Sequence, residues 1–224
     1  PQFTHMRNRD CGPVKRAILG ENNARLYRRP RQPRQRIRSD MTTKVLGICG
    51  SLRKASLNMA ALRACKELLP EGMALDITSL ADLPMFNQDV LDQGMPAPVK
   101  RFRDEVAAAD GLLIASPQYN FSIPAPLKNA IDWGSRGPSQ VFHEKPVAIF
   151  SVAPGPVGGA RVQYDLRRVL SQLWAHPLPR PEVFIGNAAG KFDAQGRLAD
   201  ETTRKFLTEL LAGFKPWILR MKPR

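Results

Sequence analysis

From Lys44 onward, short apolar runs alternate with longer segments whose apolar residues return every three or four positions. Residues 45–49 are an unbroken apolar run ending at Gly50 and Ser51, the pattern of a strand buried on both faces. Leu57, Ala61, Ala64, Cys65 and Leu68 share one face of a helix running towards Pro70. Residues 73–77 predict a second strand, and Val99, Phe102, Val106 and Ala109 a second helix. Residues 111–116 predict a third strand, stopped by Pro117, and Leu127, Ala130 and Ile131 a helix that follows Pro124 and Pro126. A fourth strand is predicted over 146–152, then a helix carrying Val162, Leu166, Val169, Leu170 and Leu173. A short fifth strand over 182–185 precedes a closing helix with Phe206, Leu207, Leu210, Leu211, Phe214 and Ile218. Strands alternating with helices predict an α/β three-layer sandwich: a five-stranded parallel sheet with helices on both faces.

The first forty residues break this pattern. They hold 11 of the 34 basic and 3 of the 20 acidic residues, which leaves 23 basic and 17 acidic for residues 41–224. The net charge is +8 on the first forty residues and +6 on the remainder, so the basicity is concentrated in the tail rather than spread over the fold. The run from Arg28 to Arg36 lacks apolar periodicity and cannot bury enough surface to offset its ordering entropy. We expect a basic, disordered extension over 1–40 and one domain over 41–224. Met41 is expected to begin the natural domain, with a functional basic arm as the other reading of the tail.

No run of eighteen apolar residues free of charge occurs, so no membrane helix is expected. Cys11, Cys49 and Cys65 are odd in number and scattered, which argues against a disulfide framework and fits a cytoplasmic location. Those cysteines and His5, His143 and His176 lack metal-ligand spacing.

In an open parallel sheet, ligands bind beyond the carboxyl ends of the strands, where the strand order reverses. Three loops at such ends carry candidate chemistry. The first, residues 50–58, places Ser51, Arg53, Ser56 and Asn58 where a helix begins, and helix N-termini favour anions. Its spacing is neither a nucleoside-triphosphate loop nor a dinucleotide fingerprint. Ser56 alone would read simply as a helix cap. The second loop, 116–124, sets Tyr119 and Phe121 beside Gln118 and Asn120 between prolines, a flat apolar wall with polar edges. An ordinary turn with its aromatics in the core is the plainer reading. The third loop, 153–161, is rich in glycine and lets a planar ligand approach the backbone, although a flexible connection would look the same. In the order 2-1-3-4-5 all three loops meet at one crevice.

These residues resemble a known family. Residues 50–58 are similar to the phosphate loop of the NADPH-dependent FMN reductases, a flavodoxin-like family. Residues 117–124 with 127–133 resemble its second motif, and Gly158, Gly159, Ala160, Arg161, Gln163, Leu166 and Arg167 its third. The likeness covers 44–220, is nearest to the bacterial chromate and quinone reductases, and omits the tail.

The resemblance implies FMN bound without a covalent link. Its phosphate would lie at Ser51, Leu52, Arg53, Ser56, Leu57 and Asn58, and its ring along Pro117, Gln118, Tyr119 and Asn120 under Ala153. It also implies a homodimer or homotetramer, with the helix carrying Asn129, Asp132 and Trp133 at an interface. Two departures stand out: Gln118 replaces the usual acidic residue, and Ala153 replaces a frequent hydroxyl.

The function expected is transfer of electrons from NADPH or NADH through FMN to quinones, chromate or a similar small acceptor. The flavin carries the chemistry, so no catalytic side chain is assigned. Tyr119, Phe121 and Arg136 are candidate acceptor contacts, although Arg136 reads equally well as a surface ion pair. The rival readings are an electron carrier of the flavodoxin type, without NAD(P)H turnover of its own, and a nucleic-acid binder using the tail. The Ser/Arg/Asn loop and a basic domain disfavour the first, and a salt-dependent shift with duplex, lost on deleting residues 1–40, would support the second.

Overall fold

The computed structural model describes residues 42–137 and 139–221; the basic segment 1–40 lies outside the described residues. Three strands form the centre: β1 (Thr43–Cys49), β3 (Gly111–Ala115) and β4 (Pro146–Val152), with β2 (Met73–Thr78) beside β1. Every pairing is parallel, and the order is β2-β1-β3-β4 followed by the fifth lane. The expected doubly wound order is therefore the observed one.

Side-chain alternation divides the apolar runs between two cores. Val45, Cys49, Leu113, Ala115, Ala148 and Phe150 face one layer, which contains helices α1 (Leu57–Ala64) and α6 (Glu201–Met221). Leu46, Ile48, Leu112, Ile114, Val147 and Ile149 face the other. That second layer holds α3 (Ala97–Ala108), α4 (Ala125–Gly134) and α5 (Ala160–Gln172).

Three details differ from the sequence expectation. The first helix stops at Ala64, and Cys65–Glu67 tightens into a 3₁₀ turn, so Leu68 lies beyond it. A five-residue helix, α2 (Gln88–Asp92), buries none of its residues and so has no apolar period to reveal it. Asn87 caps it by accepting from the Asp89 N–H at 2.9 Å.

The fifth lane is split. Residues β5 (His176–Pro177) pair with the start of β4, and β6 (Val183–Ile185) pairs with its end. Prolines at 177, 179 and 181 have no N–H to give, so the ladder cannot run through the intervening segment. The predicted strand over 182–185 corresponds to β6, one residue shorter.

Candidate functional site

The three loops leave neighbouring strands side by side. The Gly50 N–H donates to the Ala115 carbonyl at 2.9 Å, and the Ser116 N–H to the Phe150 carbonyl at 3.1 Å. The Ala153 N–H donates to the Ile185 carbonyl at 3.0 Å, so the sheet ladder extends into the base of each loop. The crevice between β1 and β3 is the point where strand order reverses.

In the first loop Ser51 is buried and its Oγ accepts from the Arg53 N–H at 3.3 Å. Ser56 caps α1, its Oγ accepting from the Met59 N–H at 3.2 Å. The first turn of α1 holds no acidic residue, so nothing offsets its positive end. Leu52 and Arg53 are exposed and Leu57 is half-buried. Asn58 points inward: its amide donates to the Val152 carbonyl and its carbonyl accepts from the Val152 N–H, both at 2.9 Å. It ties the first loop to the base of the third. Burial raises the pKa of the neighbouring Cys49 thiol, partly opposed by hydrogen bonds from Ser51 and Ser56.

The second loop is a two-residue hairpin. Tyr119 and Ser122 exchange backbone hydrogen bonds at 3.3 and 3.0 Å, and Asn120 and Phe121 between them both have positive φ, 47° and 68°. That is the turn a right-twisted hairpin prefers, with Asn suited to it and Phe not. Three contacts with α5 hold the strained conformation. Gln118 Oε1 accepts from the Arg161 N–H at 3.1 Å. The Arg161 guanidinium lies 4.1 Å from the centroid of the Phe121 ring, and the Ser122 hydroxyl donates to Asp165 at 2.6 Å. Pro117 is buried, and its carbonyl accepts from the Ser116 hydroxyl.

The third loop needs its glycines. A Cβ on Gly158 would lie 2.6 Å from the Phe184 carbonyl carbon, and one on Gly159 would lie 3.0 Å from Ser151 Cβ. Both have positive φ, 61° and 79°. Beneath them the Ser151 hydroxyl donates to the Gly158 carbonyl at 2.6 Å, and the Gln163 amide donates to Ser151 Oγ and to the Val183 carbonyl, each at 2.8 Å. Ser151 and Gln163 are fully buried, and Gln163 Oε1 has no partner among the described residues. Reading by sequence placed Gln163 in a motif without this role and missed Ser151, whose place inside an apolar strand was the available signal.

Arg136 is not brought to the crevice. It follows α4, eleven residues beyond Ala125, about 16 Å of helical rise from the end that starts at the crevice. Its guanidinium lies 5.0 Å from the centroid of the Phe86 ring. Asn129 and Trp133 are turned inside the chain: both donate to the Pro84 carbonyl, and Asn129 accepts from the Phe86 N–H. Asp132 pairs with Lys128. Among the described residues no group of three His, Cys, Asp or Glu could hold a metal, and no helix is long and apolar enough to cross a membrane.

The rim of the crevice is apolar where a ring would need a wall. Leu52, Tyr119, Phe121 and Val157, from all three loops, are 48–64% exposed. With an uncompensated helix N-terminus and Arg53 at one end, this donor set fits FMN: an anionic tail, then a flat ring.

A parallel sheet in this order, with such a crevice at its switch point, defines a flavodoxin-like flavoprotein. The model of the NADPH-dependent FMN reductase family matches residues 43–190, and the chain belongs to that family. It is 47% identical over 179 residues to an NAD(P)H-dependent FMN reductase of Pseudomonas aeruginosa, covering 80% of this chain and 97% of that one. It is 40% identical over 182 residues to a quinone reductase of Escherichia coli K12, covering 80% and 97%. Among solved structures, FerB, a flavoenzyme NAD(P)H:(acceptor) oxidoreductase from Paracoccus denitrificans, superposes with a TM-score of 0.73 at 33% identity over 80% of this chain and 98% of FerB. The chain is an oxidoreductase with FMN and NAD(P)H as its cofactors.

Proposed function

We propose that this chain reduces quinones and related small oxidised acceptors, chromate among them, with electrons from NAD(P)H. The observation that carries this reading is the exposed apolar rim of Leu52, Tyr119, Phe121 and Val157 around an anion-ready helix end. FMN supplies the chemistry when bound, taking two electrons as hydride and returning them to an acceptor. The protein's part is to hold and expose it. Ser51, Leu52, Arg53, Ser56 and Leu57 form the phosphate seat. Asn58 fixes that seat to β4 rather than reaching for the ligand. Pro117, Gln118, Tyr119 and Asn120 line one side of the ring, and Ala153 the other. Tyr119 and Phe121 face arriving donor and acceptor. A homodimer or homotetramer in the cytoplasm, with residues 1–40 an extension separate from the domain over 41–224, completes the proposal.

Purified protein is expected to be yellow, to bleach with NADPH or NADH under anaerobic conditions, and to recover colour on addition of a quinone. FMN bound without bleaching would make the protein an electron carrier instead. A colourless protein that takes up no FMN would defeat the reading.

A further inference from the structure

A recess opens on the β2 side of the phosphate loop and shares Ser51, Leu52 and Arg53 with it. It is a cavity of about 580 Å³ between α1 and the edge strand β2, bounded by the loop at Ser51–Lys54 and by residues 77–81. Arg53, Lys54, Arg63 and Lys66 line it, and no acidic residue does. None of these four side chains has a hydrogen-bond or ion-pair partner among the described residues. Arg63 also borders the next cavity, whose other cations are paired. There, Arg204 pairs with Glu67 at 3.3 Å and Arg197 with Asp193 at 2.8 Å. With Arg53 assigned to the FMN phosphate, Lys54, Arg63 and Lys66 remain around the recess with no acidic residue among its lining; like charges so placed repel one another, and a further anion relieves that repulsion.

The recess also has an apolar floor. Met59 and Ile77 are half-buried beneath it and Leu52 stands exposed at its edge. Cations around a small apolar surface suit a base bearing phosphate better than a bare anion. We propose that this recess takes the adenosine 2′-phosphate end of NADPH, and so selects NADPH over NADH. This rests on the reductase reading above. A dinucleotide is longer than FMN, so with its nicotinamide on the ring its adenosine end must overrun the flavin crevice. On the α5 side the Arg161 guanidinium lies alone against the Phe121 ring. The β2 side is where several cations stand together with no acidic residue beside them.

The probe is 2′,5′-ADP, titrated calorimetrically into FMN-saturated full-length protein. Binding is expected, and Arg63→Ala/Lys66→Ala should weaken it at least tenfold. The same variant should raise KM for NADPH at least tenfold and leave KM for NADH and FMN affinity within twofold. Arg63→Lys should restore most of the binding, which a merely structural defect would not allow. Because Arg63 and Lys66 are not among the residues assigned to hold FMN, 2′,5′-ADP should also bind the FMN-free chain, and the double variant should weaken that binding too. Failure of FMN uptake would therefore sink the reductase reading without touching this measurement. Absence of 2′,5′-ADP binding, equal binding by the double variant, or displacement by equimolar inorganic phosphate would overturn the proposal.

Discussion

Asn58 and Val152 form a closed two-way bridge: the side-chain amide of Asn58 satisfies both the N–H and the carbonyl of Val152, each at 2.9 Å. The bridge imitates a strand pairing. It joins the start of α1 to the end of β4, two elements 94 positions apart in the chain. It sets the distance between the phosphate loop and the third loop, which begins at the next residue.

Asn58→Ala leaves two buried backbone groups of Val152 without partners. Each unsatisfied group costs about 1–3 kcal/mol, so a loss of about 2–4 kcal/mol is expected after partial solvation. FMN affinity should fall with it, because the two loops lose their fixed spacing. Urea denaturation and flavin fluorescence titration measure both. A stability change below about 0.5 kcal/mol would show that the bridge is dispensable.

Gly158 presents the opposite situation, a site where any side chain is excessive. Ala at 158 would force a Cβ into the backbone at Phe184 and Gly186, with contacts of 2.6 and 2.8 Å, while holding φ at 61°. The left-handed conformation costs about 1–2 kcal/mol and the overlap about 1–3 kcal/mol more. Gly158→Ala should therefore unfold at clearly lower denaturant concentration and lose FMN affinity at least tenfold. Unaltered affinity would mean the third loop does not contact the flavin.

Phe121 is large, 64% exposed and left-handed, three properties that stability alone would select against. Phe121→Gly relieves strain while adding freedom to the unfolded chain, and the two effects nearly cancel. Stability should stay within about 1 kcal/mol of the parent, unlike the usual loss of a large aromatic. KM for a quinone should rise several-fold with FMN affinity unchanged. Steady-state kinetics that match the parent enzyme would remove Phe121 from the acceptor site.

Asp200 gives the chain an acid limb. The Thr203 hydroxyl and N–H donate to its Oδ2 at 2.5 and 2.8 Å, and Lys191 lies at 3.1 Å, which together hold its carboxyl below the ordinary value of 3.8. A depressed carboxyl stabilises the fold fully above its unfolded value. That contribution is lost as pH falls below 3.8 and through the lower folded value. Asp200→Asn should be less stable than the parent at neutral pH and should lose less on acidification. Two denaturation midpoints that fall in parallel with pH would refute this.

The fold was legible because its signal is periodic. Buried strands such as residues 146–152 are apolar at every position, and helix α5 repeats at 3.6. What escaped had no period: α2 buries nothing, and the fifth lane is cut by prolines. The loops of the site were legible as positions but not as directions. Asn58 was expected to face a phosphate, and its amide faces Val152 instead. A sequence tells that a polar side chain stands at a loop, but its partner is decided by a strand far along the chain. The position of Arg136 was hidden in the same way, since its distance from the crevice depends on where α4 starts and on its length.

Gln118 stands where the resemblance implied an acidic residue, and the structure gives the position a task. Its Oε1 accepts from the Arg161 N–H in the first turn of α5, so the second loop helps cap the helix that follows the third. A carboxylate has the same reach and would make the same bond with a charge added. That charge would meet the positive end of α5, a favourable contact of about 0.3–1 kcal/mol. Gln118→Glu should therefore fold at least as stably as the parent. The charge would also lie beside the ring site proposed at Pro117 to Asn120, where negative potential would disfavour adding electrons to the flavin. The reduction potential of bound FMN is expected to move to a more negative value, and reduction by NADPH to slow while reoxidation by a quinone quickens. An equilibrium dye titration of the two proteins decides it. A potential that is unchanged, or moves positive, would place Gln118 outside the electrostatic reach of the flavin and limit its task to holding α5.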